Sequence, residues 1–568
     1  MGATIATQDA TALSSNNKSL SKKEIRSKFL SDFKGRIDLA LDKLYLFYGR
    51  PYDFNSPGGV LPDPIDSVND DSSIRKAIMA LKLIEPLDVR LAFKRNDWVT
   101  NTTTFTQYSD QTNLENANPA YYTFVKSQDK LYICLDNNNG AVSVTEPNSS
   151  DSTPFTTADG YKWKLLIAYE SSLIRKFSAT THLPVPDAGE QIKTSNKGGV
   201  IERLELKDDS PQTIDYSDAS PLLSEVPLFI KGDGDDVRTG RASIATTEAT
   251  TLVSATITNA GTGYHNDITR STVPVEFRLT DPSSAVDNTP FKLAYGLATI
   301  SNGTITALEV INSGSGYPAS GTLTIVQSSA IAYATLDSST NRIASSNPFV
   351  IVQAGEKFRT AKVISVAGNA VSDAEDADIY IQPILSPFGG HGSNLQLELS
   401  ATSLFVNVKV SAEAGGVFTQ SNDFRQIGII SNVQHIDPTL TLVGSQLDAT
   451  TSANIVERTD SLFTNIATDA TIEGRTSLHK ANLVDITATG TGIETIRYLN
   501  SQDVPYTNTF NDTEVVDFNG GTGNGFTVSN ITKPTIDIFS GAILFINNND
   551  PIQRASGQTE TLNFIFNF

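Results

Sequence analysis

At 568 residues, with 39% hydrophobic and 19% charged side chains, the chain is neither a disordered polyelectrolyte nor a membrane protein. Its length suits three or four domains of about 150 residues each. A formal net charge of −20 argues against nucleic acid as a partner, because that affinity rests on cation contacts to phosphates.

Residues 1–20 carry no periodic apolar pattern and read as an extended arm. The start MGATIATQDATA has no signal-peptide core, and no apolar run approaches the ~18 residues that cross a bilayer. A soluble chain, not exported by the usual route and without membrane insertion, is expected. Residues 21–90 read as a helix and strand region. Ser21 and Glu24 form a capping box, Ile25, Phe29 and Phe33 share a helical face, and Gly35 ends that helix. A strand over Lys43–Arg50 follows, then a loop over 51–72. A second helix is expected over 73–84, where Ile74, Ile78 and Leu81 have helical spacing, Ser72 or Ser73 caps it and Pro86 stops it.

Residues 91–200 read as a β domain. Strand-like Leu131–Leu135 runs into Asp136-Asn-Asn-Asn-Gly140, whose side chains cap their own backbone while Gly140 accepts φ > 0. A long polar loop leads to Asp159-Gly-Tyr-Lys-Trp-Lys164. There Tyr161, Trp163 and Leu165 share one strand face, and Lys162 and Lys164 the other. The aromatic pair is core or interface, and the sequence leaves that open. Short strands continue over 173–206, with Gly198-Gly199 as a turn.

Residues 201–345 hold an internal repeat at a spacing of 53. Thr251–Tyr264 (TLVSATITNAGTGY) aligns with Thr304–Tyr317 (TITALEVINSGSGY), each an alternating strand ending in a turn closed by tyrosine. Two copies are too few for a solenoid, so two related β units in one domain are expected. A third echo, Ile486–Gly492, lacks the tyrosine. Residues 346–435 form a central β region interrupted by Pro387-Phe-Gly-Gly-His-Gly392 and Asn422-Asp-Phe-Arg-Gln-Ile-Gly428, and 436–568 a C-terminal β region. Phe564, Phe566 and Phe568 alternate, which predicts a closing strand. The fold class is mainly β with a few short helices near the N-terminus, in several domains with β-sandwich-like layers.

The search for chemistry returns little. His391 sits among glycines, yet His182, His265, His435 and His479 stand singly without metal-ligand spacing, so structural roles are favoured. Lys231-Gly-Asp-Gly-Asp-Asp-Val237 clusters three carboxylates, but the closing Glu of a calcium loop is replaced by Ile244, and a solvated turn is favoured. Gly520–Gly525 lacks the Lys-Ser/Thr of a phosphate loop. One cysteine, Cys134, excludes an intrachain disulfide framework and reads as a small packed residue. No nucleophile elbow or zinc-protease motif occurs, so no catalytic, metal or cofactor residue is assigned and an enzyme is not expected. A glycosidase carboxylate pair drawn from distant positions stays open, because Asp and Glu are plentiful.

Several motifs, in order, resemble a known family. Tyr45–Arg50, Asp88–Leu91, Cys134–Gly140, Pro154–Lys164, Pro383–Gly392, Gly416–Gly428, Ser540–Asn547, Pro551-Ile552, Arg554 and Gln558–Glu560 are similar to a baseplate wedge protein of contractile-tailed, T-even-type bacteriophages. The chain is longer than the compact T-even form, with expansion in 201–345 and 436–535. The resemblance implies a non-enzymatic virion subunit of the tail baseplate, assembled in the host cytoplasm. It implies a homodimeric connector that binds other wedge subunits, contacts tail fibres, and takes part in the rearrangement that triggers sheath contraction. The alternative is a tail-associated carbohydrate-binding or carbohydrate-cleaving receptor protein, with a generic adhesin behind it.

Overall fold

The computed structural model describes residues 22–49, 67–115, 117–187, 190, 192, 198–206, 225–265, 270, 272–286, 290–337, 342–344, 348–365, 381–411, 426–458, 470–488, 494–501, 503–505, 508–518, 525–548 and 559–568. The arm at 1–20, Ser21, the Gly-Arg50 break, most of the Gly416–Gly428 motif, the end of the third repeat echo and the glycine-rich loop before Gly525 lie outside them. The chain is mainly β, in several sheets. Helices are short, and those at Ser171–Phe177 and Leu395–Glu398 lie far from the N-terminus. No described helix is long and apolar enough to cross a membrane.

Two compact units result, each assembled from separated segments: Met1–Phe93, Arg175–Val185 and Thr402–Phe568 in one, Lys94–Ile174 and Pro186–Ala401 in the other. Strand pairing cuts across the linear segments read from sequence. Leu44–Gly49 pairs with Gln426–Ser431, and Ile201–Leu206 with Ile381–Leu385.

In the first unit, Leu44–Gly49 is buried along its whole length. Leu44, Leu46 and Tyr48 join one core with Ile427, Ile429 and Val406, while Tyr45 and Phe47 join another with Ile78 and Ile430. A period of two serves both faces, as expected of a central strand. The closing strand Thr559–Asn567 pairs with Ser403–Ser411, as the phenylalanine alternation predicts, and packs Leu562, Phe564 and Phe566 against the first core, while Phe568 lies past its end and is exposed. Within the expanded C-terminal stretch, six strands between Thr451 and Thr532 close a barrel around Leu483, Ile496, Tyr498 and Phe526.

Two helix expectations are corrected here. The first helix runs through Gly35 to Asp38, because Leu30 and Ile37 supply its buried positions. Ile25 and Phe29, on the helical face shared with Phe33, are each 55% exposed. The second helix lies earlier, at Val68–Lys76, with Ser67 as its cap accepting from the Asp70 amide. Ile78–Leu83 is a strand between Leu44–Gly49 and Gln446–Asp448. Ile74, Ile78 and Leu81 do share a core, yet long-range pairing rather than helical spacing brings them there.

In the second unit, the repeat builds one six-stranded sheet from β1 (Val237–Glu248), β2 (Thr251–Asn259), β3 (Thr272–Leu279), β4 (Ala294–Ser301), β5 (Thr304–Asn312) and β6 (Thr322–Gln327). Its order is β2-β1-β6-β3-β4-β5, so each half lends its third strand to the other. The copies meet reciprocally. Leu252 donates its amide to the Ser313 carbonyl at 2.9 Å, and Ile305, its equivalent, to Ala260 at 3.0 Å. The Tyr264 amide donates to the Gly303 carbonyl and that of Tyr317 to Thr250, so each hairpin tip is capped by the other copy's turn. The hydroxyls repeat the pattern. Tyr264 accepts from Gly240 and donates to the Ile325 carbonyl; Tyr317 accepts from Ala294 and donates to Phe277. Phe277 and Ile325 are register partners on the central pair β3-β6, so a local two-fold runs through them.

Both predictions from this architecture concern stability. Tyr264→Phe and Tyr317→Phe each leave a buried amide and carbonyl short of a partner, and each should lower unfolding free energy by about 1–3 kcal/mol. The losses should be similar and measurable by denaturant titration of the full chain. Trp163 is fully buried among Phe105, Tyr132, Cys134, Tyr161 and Leu165, which assigns the aromatic pair to core. Trp163→Ala should cost about 3–5 kcal/mol in the same measurement.

Candidate functional site

Two landmarks that are far apart in sequence, the Gly198-Gly199 turn and the Pro387–Gly392 loop, meet in the second unit, and the lysines of a third, the Asp159–Lys164 segment, act electrostatically on carboxylates beside them. The strand of that segment is set by its preceding turn. Asp159 accepts from the Val144 and Thr145 amides at 2.8 and 2.9 Å and from the Ser143 and Thr157 hydroxyls, fixing the long loop. Burial works against that carboxylate, but these donors hold its pKa below the ordinary range. Asn137 caps the Gly140 amide and Asn138 donates to the Asp159 carbonyl, so the Asp136–Gly140 turn forms as its residues predict. Lys162–Ala168 then pairs antiparallel with Lys130–Asp136, Trp163 opposite Cys134.

The two glycine turns stack on each other. The Gly199 amide donates to the Pro387 carbonyl at 2.9 Å, and the Ser386 amide to Val200 at 2.9 Å. A Cβ at Gly198 would lie 2.0 Å from the Phe388 carbonyl oxygen, so only glycine permits this approach. On the other side, Gly198 and Gly199 accept from the Lys357 and Phe358 amides.

His391 sits at the centre. Its Nδ1 bonds Glu398, its Nε2 lies 3.4 Å from a Glu202 oxygen, and the three side chains are 0, 3 and 8% exposed. The Nε2 contact is an ion pair whose geometry falls short of a hydrogen bond. The second Glu398 oxygen accepts from the Gly392 amide at 2.7 Å, and Tyr121 donates its hydroxyl to the Glu398 carbonyl. The Tyr108 ring stands edge-on to the imidazole at 4.7 Å. Lys164 is buried and donates to the Ser152 carbonyl.

Burial opposes the imidazolium, yet the Glu398 charge and the contacts to Glu202 and Glu398 override it and raise the His391 pKa to about 9. Burial also opposes the Glu202 carboxylate, but His391 holds its pKa below the ordinary range. For Lys164, burial dominates and lowers the pKa against the pull of Glu398 and Glu202. Among the described residues these side chains are almost wholly buried, and their bonds organise backbone.

The other expected residues go to separate places. In the Lys231–Val237 loop, Asp233 accepts the Arg359 and Thr360 amides, Asp235 pairs with Lys357 and Asp236 with Arg238, so the three carboxylates diverge. Among the described residues, no three His, Cys, Asp or Glu side chains converge as a metal site. His182 contacts Thr181, His435 pairs with the Asp437 backbone, the His265 amide donates to Gln327, and His479 packs on Phe510 while touching Asn500. Cys134 is fully buried, and burial raises its pKa, as suits a packed residue. Glu202, Glu398, Lys164, Tyr108 and Tyr121 were missed by sequence reasoning. The available signal was a charge inside an apolar run: Lys164 before Leu165-Leu166-Ile167, and Glu202 after Val200-Ile201.

Glu398→Ala removes one carboxylate from a buried ion cluster and should cost about 3–5 kcal/mol at neutral pH. Thermal unfolding of the full-length variant checks this. Compared with protein-family models and with curated proteins, the chain has no significant match.

Proposed function

We propose that the chain is a structural, non-enzymatic subunit of a phage tail baseplate wedge. It joins neighbouring wedge proteins as a homodimer and takes part in the rearrangement that triggers sheath contraction. The ordered resemblance along the chain supports this reading, and one observation carries it. The Pro383–Gly392 motif, among the most recognisable of that resemblance, is built into a buried polar centre, where the Pro387 carbonyl accepts from the Gly199 amide and both the Gly392 amide and the His391 ring bond the Glu398 carboxylate. Residues placed that way serve architecture, and architecture is what a wedge subunit supplies. The expanded stretches suit the same role. Each contains a compact β unit, the duplicated sheet within 237–327 and the barrel within 451–532.

A second reading, binding of a host carbohydrate, draws on a cleft of about 480 Å³ in the duplicated region. It is lined by Lys231, Arg278, Leu279, Pro282, Ala285, Leu293 and the exposed Phe291, a mainly apolar lining with one ring on which a sugar face could stack.

Immunogold labelling of intact particles decides between these readings. Label at the tail end beside the tube is expected for a wedge subunit, and label confined to fibre tips or the capsid overturns it. Saccharide binding abolished by Phe291→Ala would favour the second reading.

A further inference from the structure

We propose that His391 is a proton-operated latch. Its imidazolium clamps the 386–393 loop and the Leu395–Glu398 turn onto the strand Ile201–Leu206, and loss of the proton releases them. The geometry favours the charged ring. Carboxylates stand at both ring nitrogens, Glu398 at Nδ1 and Glu202 at Nε2. Only the imidazolium has an N–H on each side, whereas a neutral ring turns a lone pair toward one of the two anions.

Among the described residues, nothing nearby replaces that charge. From Lys162–Ala168, Lys164 acts on both carboxylates and Lys162 on Glu202, but burial weakens the Lys164 ammonium. From the segment before the sheet, Tyr108 presents a ring edge with Asp110 near it, and Tyr121 engages the Glu398 carbonyl. Burial pushes both phenols up, so they stay neutral. Deprotonation of His391 therefore leaves two buried carboxylates against a lone pair, an arrangement that opens toward water.

Gly390 and Gly392, at φ of 83° and 86°, bracket His391 with backbone that can rotate without a Cβ penalty. Opening would break the Gly199–Pro387 and Ser386–Val200 bonds, and so loosen the Gly198-Gly199 turn that seats Lys357 and Phe358. The sign follows from a histidine pKa raised in the fold. The latch is fully closed below the ordinary value of 6.5 and is lost as pH rises through about 9.

Hydrogen exchange of the full chain from pH 6 to 10, corrected for intrinsic rates, tests this. Opening of 198–204 and 386–399 should increase about tenfold per pH unit between 6.5 and 9, while 237–327 keeps its protection. Glu202→Gln should move the transition to lower pH, and His391→Gln should abolish the pH dependence. Titration of the His391 ring by NMR in the unmutated chain gives the same midpoint if either variant fails to fold. Protection unchanged across the range overturns the proposal. So does an unchanged midpoint in His391→Gln, or loss of 237–327 at the same pH.

Discussion

The second unit is constrained by a charge balance. Two carboxylates, Glu202 and Glu398, are held out of water, and a low-dielectric interior tolerates them only with cations in contact. His391 supplies that contact between them, and Lys164, weakened by its own burial, adds a charge that acts at longer range. To place an imidazole there, the chain must bring a loop, a strand and a sheet face within contact distance. Glycines at 198, 199, 390 and 392 make this possible, because side chains at those points would collide or strain the backbone. The cluster is modest as a source of net stability, since desolvation offsets much of the attraction. Its effect is to dictate which segments meet.

The duplicated sheet solves a different problem by geometry alone. An isolated three-stranded half would leave one face and two edges open. Exchanging third strands between halves covers the central edges, and the reciprocal bonds between Leu252 and Ser313, and between Ile305 and Ala260, tie the outer strands together. Each tyrosine hydroxyl then satisfies an amide and a carbonyl that the ladder leaves over. The turn that looks like a local motif is a contact between copies.

In the first unit the organising element is Leu44–Gly49, buried on both faces and flanked by strands from opposite ends of the chain. Its neighbour Gln426–Ser431 is about 380 residues away in sequence, and loop-closure entropy rises slowly enough for such a pairing to be repaid by the apolar faces it buries. Long insertions such as the barrel are tolerated for the same reason.

The sequence by itself determined the fold class, most strand positions, the Asp136–Gly140 turn, the closing phenylalanine strand and the 53-residue repeat. These depend on local propensity and period, which neighbouring residues specify. It misplaced the second helix because Ile74, Ile78 and Leu81 satisfy a helical period, while pairing with Leu44–Gly49 draws Ile78–Leu83 into a sheet. It grouped Ile25, Phe29 and Phe33 on one helical face, yet amphipathic spacing names a stripe without saying which neighbour covers it, and Ile25 and Phe29 stay exposed. Only the tertiary structure decided that Trp163 is core and that the two tyrosine turns cap each other's hairpins. It alone joined His391 to Glu202 and Glu398. The reason is physical: burial and charge compensation belong to groups brought together across long separations, and no local pattern encodes which of many carboxylates will face one imidazole.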